Sequence, residues 1–364
     1  MPLDAQQSSQ SAQVPFEQPE SQAILTPLTT SAAFLVVTVC EDHAACARVV
    51  DTVSDIGALV RAVGFREPTA DLSCVVGIGS HLWDRIRPTG APRPAQLHPF
   101  RPVTGARHDA PSTPGDILFH IRVNRADLVF EFTRVLMDAL GEDVHVEDHV
   151  TGLRYFDSRD LLGFVDGTEN PTGRGAASAA VISSLQEPDF AGGSYVMVQK
   201  YLHDMAAWAA LSTEEQERVI GRTKLEDIEL DEEVMPTNSH VSLNTIVDEG
   251  GNERDILRDN MAFGDPSRGE MGTYYIAYAS DPSVTEQMLD NMFIGNPQGN
   301  YDRILDVSDA VTGSQYFVPA LDMLESLAEE MPTVTAAHAP SDSATPSPAD
   351  TQEGTASAQP ADTP

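Results

Sequence analysis

The apolar positions of this 364-residue chain change period repeatedly, and each change marks an element. Ala33 to Val39 and Cys74 to Ile78 are continuous apolar runs of strand length. Ile117, Phe119, Ile121 and Val123 share one face of a period-two pattern, which puts His120 and Arg122 on the other. The period then shifts: Leu128, Phe132, Val135, Leu136 and Leu140 fall on one helical stripe, and Gly141 is placed to end it. The second half repeats this grammar. Tyr195 to Tyr201 reads as a strand, and Ser212 with Glu215 forms a capping box for a helix reaching Ile220. Tyr274, Ile276 and Tyr278 alternate on a later strand, followed by a helix from Ser283 to Met292. Such an order predicts an α+β fold of two similar halves, each an antiparallel sheet covered by helices on one face. The proline-rich stretch from Arg87 to Pro114 is too long for a simple connection. The pattern leaves open whether it is a functional wall or a decorated loop.

Residues 1–30 are rich in Gln, Ser and Pro, and residues 331–364 are almost entirely Ala, Pro, Ser, Thr and Asp. Neither can bury enough apolar surface to offset the entropy of ordering, so both read as disordered tails. The body between them divides into halves over 31–150 and 151–330. Its hydrophobic content of 41% supplies a substantial core. The net charge of −34 repels nucleic acid and anionic lipid, and those partners are not expected. Three cysteines, Cys40, Cys46 and Cys74, cannot form a complete disulfide set and fit a reducing compartment. There is no export signal and no apolar run of the roughly 20 residues a membrane span needs. The expected location is the cytoplasm.

The chemistry concentrates in a few runs. In Gly163-Phe164-Val165-Asp166-Gly167-Thr168-Glu169-Asn170-Pro171, one carboxylate sits between glycines and the run closes on an Asn-Pro turn. Glycine permits tight backbone there, so Asp166 is presented on a sharp turn. By itself this is also the signature of an ordinary Asx turn. Further on, His240 follows a polar stretch, Pro236-Thr237-Asn238-Ser239, and Leu257-Arg258-Asp259-Asn260-Met261 places a guanidinium and an amide two residues apart. No zinc-type ligand spacing, nucleophile elbow, P-loop or dinucleotide fingerprint is present.

Together these runs, with Ile220-Gly221-Arg222-Thr223-Lys224, resemble the dye-decolorizing peroxidases, specifically the compact bacterial branch called type B or P. Supporting segments are Val76-Gly77-Ile78-Gly79 with Leu82-Trp83, Gly115 to His120, and Gly272-Thr273-Tyr274-Tyr275, so the resemblance spans about 31–328. It implies tandem ferredoxin-like halves, with haem b (iron protoporphyrin IX) held mainly by the C-terminal half. It further implies a peroxidase that uses hydrogen peroxide to oxidise small-molecule reductants such as dyes and phenolics, with Mn(II) a further candidate donor. By motif position His240 becomes the axial iron ligand and Arg222 a partner of a haem propionate. Asp166, Arg258 and Asn260 line the peroxide side. Asp302 becomes the acceptor behind His240, with Asp306 as the alternative.

A carboxylate near the iron can move a proton between the two peroxide oxygens, directly or through water. Arg258 can stabilise charge developing on the departing oxygen and opposes the rise that burial gives Asp166. An acceptor behind the axial imidazole makes that ring more basic. Trp83, Trp208, Tyr195, Tyr274, Tyr275 and Tyr316 are available to carry electrons from large donors, though core packing accounts for most such residues. Two rivals remain at this stage: a chlorite dismutase-like haem enzyme, and a non-enzymatic haem-binding or iron-releasing protein. The glycine-flanked Asp166 argues against the first, and the Asp-Arg-Asn set is superfluous for the second. A homo-oligomer is expected. The terminal Ala-Gln-Pro-Ala-Asp-Thr-Pro lacks the Gly/Leu/Ile/Ser and basic pattern of encapsulin cargo peptides, so packaging is not expected.

Overall fold

The computed structural model describes residues 18–332. The proposed disordered tails therefore lie largely outside the described residues, but the N-terminal boundary at 31 falls too late. Ile24 is buried, and the side chain of Gln22 donates to Val76 O and Pro319 O while accepting from Val76 N. A glutamine that satisfies three backbone groups is part of the core packing.

The first half contributes strands β1 (Ser31–Val39), β2 (Ser73–Gly79), a short hairpin of β3 (Val103–Thr104) and β4 (Asp109–Ala110), β5 (Ile117–Val123) and β6 (Val144–Leu153). Its helices are α1 (His43–Ser54), α2 (Ile56–Gly64), α3 (Ser80–Ile86) and α4 (Ala126–Leu140). The second half has α5 (Arg174–Ala180), β7 (Ser194–His203), α6 (Met205–Ala210), α7 (Thr213–Ile220) and α8 (His240–Asn244). It continues with β8 (Leu257–Arg258), β9 (Met261–Asp265), β10 (Glu270–Ala279), α9 (Ser283–Phe293), β11 (Ser308–Ala310), β12 (Ser314–Val318) and α10 (Leu321–Ser326). The elements expected from periodicity are all present. Gly141 ends α4 with φ 58°, and Ser212 Oγ caps α7 by accepting from Glu215 N. Because β6 runs to Leu153, a boundary at residue 150 would cut a strand.

The two halves do not keep separate sheets. β12 pairs with β2, β6 meets β9 at Leu153 and Ala262, and β7 pairs with β10. The order β7-β12-β2-β5-β1-β6-β9-β10 therefore closes on itself, with β8 and β11 at the margins. Closure removes exposed strand edges, and it gives each strand an inner and an outer face. On β1, Ala32, Phe34 and Val36 face a shared interior with Tyr274, Ile276, Tyr278 and Tyr316 of the second half. Ala33, Leu35 and Val37 face outward onto the cluster that also holds residues of α1 and α4. The face of β5 that carries His120 and Arg122 is thus an interior face, not a solvent one: both are essentially fully buried. The proline-rich segment is packed as well, with Phe100, Val103 and Ala110 clustering on Leu289 and Phe293 of α9.

Candidate active site

A cavity opens on the outer face of the second-half sheet, between β7 and β10 on one side and α8 and α9 on another. It gathers Asp166, Arg222, His240, Arg258 and Asn260 from segments spread over almost a hundred residues of sequence. Asp302 stands directly behind it, fully buried.

His240 is the first residue of α8, whose cap is Ser239: its Oγ accepts from Ser242 N at 3.2 Å. The ring Nδ1 lies 2.7 Å from Asp302 Oδ2. A carboxylate only accepts there, so Nδ1 carries the proton and Nε2 keeps the lone pair. Asp302 is itself fixed, since its other oxygen accepts from Ile304 N at 3.0 Å. Asn244, one helical turn after His240, donates to His240 O at 2.8 Å and extends to Asp302 Oδ2 at 3.4 Å. The alternative acceptor, Asp306, is engaged elsewhere, with His108 and Tyr301.

A second histidine, His203, also lines the cavity, yet both of its nitrogens are occupied, by Ser308 Oγ at 2.8 Å and Thr273 Oγ1 at 2.9 Å. Burial pushes its pKa down to about 4, so the ring is neutral. Among the described residues that line the cavity, only His240 presents a free, correctly polarised nitrogen to it.

Opposite elements supply the acid and the cation. Gly163 and Gly167 adopt φ 93° and 84°, a region that favours glycine, and Asp166 N donates to Ser158 O at 2.8 Å. Asn170, from the same run, reaches Arg258: its Nδ2 donates to Arg258 O at 2.7 Å and its Oδ1 accepts from Arg258 N at 2.9 Å. The Asn-Pro turn therefore clamps the backbone that carries the arginine, a function its sequence position did not reveal. Asn260 Oδ1 accepts from Ile276 N at 3.1 Å, which fixes the amide so that Nδ2 points to Asp166 Oδ1 at 3.3 Å. Arg258 and Asn260 face the cavity. Asp259 between them faces the interior and pairs with Arg122 Nη1 at 3.0 Å. This is strand alternation put to use.

Arg222 lines the cavity with its guanidinium already engaged by carboxylates. Asp227 Oδ1 accepts from Nε at 2.9 Å, and Glu169 accepts from Nη1 at 2.5 Å. Asp160 also lines the cavity, accepting from Phe164 N at 2.9 Å; burial pushes its carboxyl up to about 7, with the charge of Asp166 adding to the rise. The sequence reading missed Asp160, His203 and Asn244. Of these, only Asn244 had a visible signal, its i+4 spacing from His240.

The arrangement fits an amphiphilic iron macrocycle. Apolar walls from Phe164, Ile220, Ile256 and Leu289 suit a flat ring, Arg222 and Arg254 suit its acidic edge, and the His240 nitrogen is of the type that can hold iron.

Comparison with known proteins agrees. The family description "Dyp-type peroxidase, N-terminal" matches residues 21–154, and "Dyp-type peroxidase, C-terminal" matches 157–323. The chain belongs to the DyP-type peroxidase family. A dye-decolorizing peroxidase from Rhodococcus erythropolis is 57% identical over 304 residues, covering 84% of this chain and 88% of that one. The solved DyPB from Rhodococcus jostii RHA1 is 58% identical with a TM-score of 0.82, covering 85% of this chain and 99% of that chain. Variants of that DyPB are solved in complex with heme, and one with manganese. A structure of the encapsulated DyP-type peroxidase from Mycobacterium smegmatis is 57% identical, with a TM-score of 0.81, covering 84% of this chain and 98% of that chain. This DyP-type peroxidase is accordingly a haem-dependent oxidoreductase. Among the described residues, no helix is long and apolar enough to cross a membrane.

Proposed function

We propose that His240 is the axial ligand of the haem iron, held by Asp302, and that Asp166, Arg258 and Asn260 handle peroxide on the opposite face. The carrying observation is the contrast between the two cavity histidines. His203 has both nitrogens occupied, whereas His240 has Nδ1 polarised by a buried carboxylate and Nε2 free among the described residues. The haem, when bound, supplies the iron at which the O–O bond of peroxide is cleaved.

The chain's own residues do the rest. With peroxide in the cavity, Asp166 would take a proton from one of its oxygens and return it to the other, which would then leave as water. Asn260 holds the Asp166 carboxylate in place through the 3.3 Å contact. Arg258 provides a fixed cation for the charge that develops on the departing oxygen, and its backbone position is set by Asn170. Asp302 keeps the His240 ring in one tautomer and orientation. Arg222 takes one haem propionate by exchanging it for Glu169, an exposed side chain that already offers the same carboxylate chemistry. The free thiols of Cys40, Cys46 and Cys74 support a reducing, cytoplasmic location.

The cation contributes more than the carboxylate, because water can substitute for a proton carrier but not for a guanidinium fixed at the cavity wall. In haem-loaded protein mixed rapidly with peroxide, Arg258→Leu is expected to abolish the fast change of the haem absorption band, while Asp166→Ala slows it. A fast change in Arg258→Leu with none in Asp166→Ala would reverse the assignment.

A further inference from the structure

Behind the cavity wall, inside the closed sheet, lies a buried polar group that the peroxide chemistry does not use. Tyr278 Oη is 2.8 Å from His120 Nδ1. His120 Nε2 faces Asp259 Oδ2 at 3.7 Å, and Asp259 accepts from Arg122 Nη1 at 3.0 Å. All four side chains are at most 3% exposed. Neither His120 Nε2 nor Asp259 Oδ1 has a hydrogen-bond partner among the described residues.

The group is one sheet thickness from the cavity. Asp259 sits between Arg258 and Asn260, which line the cavity, and Tyr278 lies opposite Leu257, the residue preceding Arg258. The rings are also ordered for electronic contact: His120 stacks on Phe34 at 4.8 Å and 14°, and Phe34 stacks on Tyr274 at 4.1 Å and 15°.

Burial holds the Tyr278 phenol above its ordinary pKa, so it is protonated at rest. Burial, with the charge of Arg122 adding, holds His120 well below its ordinary value, so the imidazole is neutral. The phenol donates to Nδ1, which places the ring proton on Nε2, towards Asp259. A phenol, a neutral imidazole and a carboxylate in line make a relay of the same logic that activates hydroxyl nucleophiles. No substrate can reach this one. Electrons, unlike substrates, do not need an opening.

We infer that Tyr278 is a built-in one-electron donor to the haem site, with His120 as its proton acceptor. One electron leaves the Tyr278 ring for the peroxide-oxidised cofactor. The phenolic O–H bond breaks and an N–H bond forms at His120 Nδ1, giving a neutral phenoxyl radical and an imidazolium. Asp259 faces the new cation and stabilises it. An electron returned from an organic donor, with the proton moving back from Nδ1 to Oη, restores the pair. The oxidant is peroxide, supplied by the established activity; the inference rests on haem occupying the cavity. Its role is to hold an oxidising equivalent inside the protein when no donor is present.

The test is freeze-quench electron paramagnetic resonance of haem-loaded protein mixed with one equivalent of peroxide, without donor. The wild type is expected to give a tyrosyl signal whose lines narrow when the protein carries ring-deuterated tyrosine. Tyr278→Phe should lose that signal while its haem band still responds to peroxide. His120→Gln, whose amide accepts a hydrogen bond but takes no proton, should reduce the signal strongly. An undiminished tyrosyl signal in Tyr278→Phe, or no tyrosyl signal in a wild type whose haem band responds, overturns the inference alone. An undiminished signal in His120→Gln overturns the proton-acceptor role. A wild-type haem band that does not respond to peroxide overturns the assignment of the cavity as well.

Discussion

Replacing Asp302 by Asn tests what the buried carboxylate does for His240, the histidine proposed to hold the iron. The amide has nearly the same shape, and its single oxygen can still accept from His240 Nδ1–H at the 2.7 Å position, but its NH2 then stands where the other carboxylate oxygen accepted from Ile304 N. What it removes is the negative charge, held at 0% exposure and therefore little screened by water, together with the acceptor for Ile304 N. Groups that polarise a metal-bound histidine are worth about 10–100-fold in affinity or activity. At about 1.36 kcal/mol per decade, that is roughly 1.4–2.7 kcal/mol. The expected outcome is a protein that folds and takes up haem but reacts with peroxide about 10–100-fold more slowly in stopped-flow mixing. Asp302→Ala should do more, since it also leaves the ring N–H buried without an acceptor, at a further cost of about 1–3 kcal/mol. A peroxide rate in Asp302→Asn equal to that of the wild type, at equal haem loading, would refute the reasoning that the charge matters.

Two further outcomes follow from the same geometry. Asn170→Ala removes two hydrogen bonds to the Arg258 backbone, of 2.7 and 2.9 Å. At about 0.5–1.5 kcal/mol each it should cost about 1–3 kcal/mol in urea unfolding, and it should slow the peroxide reaction as Arg258 loosens. Asp160 sets a pH dependence: its carboxyl is raised from 3.8 to about 7 in the folded protein, so the unfolded chain ionises first and stability falls as pH rises across that window. Thermal unfolding of haem-free Asp160→Asn should show a shallower decline between those values, and an unchanged slope would show that the raised carboxyl is not responsible.

Much of the site was legible because the family resemblance is carried by short local runs, although their spacing alone fits ordinary turns as well. Asp166 between glycines, and Arg258 two residues before Asn260, need only a tight turn and a strand to face one cavity, and both were present. Asp302 was favoured by family position, with Asp306 as the alternative, because local sequence does not tell the two apart and only tertiary packing buries one of them. Asn170 looked like turn punctuation. Its second task, holding Arg258 from 88 residues away, is a long-range backbone contact with no local signature.

The same limit applies to the fold. Period-two and period-3.6 patterns identified strands and helices, since each strand has two distinct faces. They could not show that β2 meets β12 or β6 meets β9, because edge pairing between halves leaves no periodic trace. That closure is what turns His120 and Arg122 from the polar face of a half-exposed strand into a buried interior group. Arg222 carries a related lesson: its type announced an anion partner, and the fold adds that Glu169 and Asp227 already occupy it.

The central claim is that His240, polarised by Asp302, holds the haem iron. Absorption spectroscopy of purified protein titrated with haem, for the wild type and for His240→Ala, tests it most directly. The account predicts that the wild type gives a histidine-ligated haem spectrum that changes on adding peroxide, and that His240→Ala binds haem weakly or with a shifted band. A His240→Ala protein with the wild-type haem spectrum would contradict it.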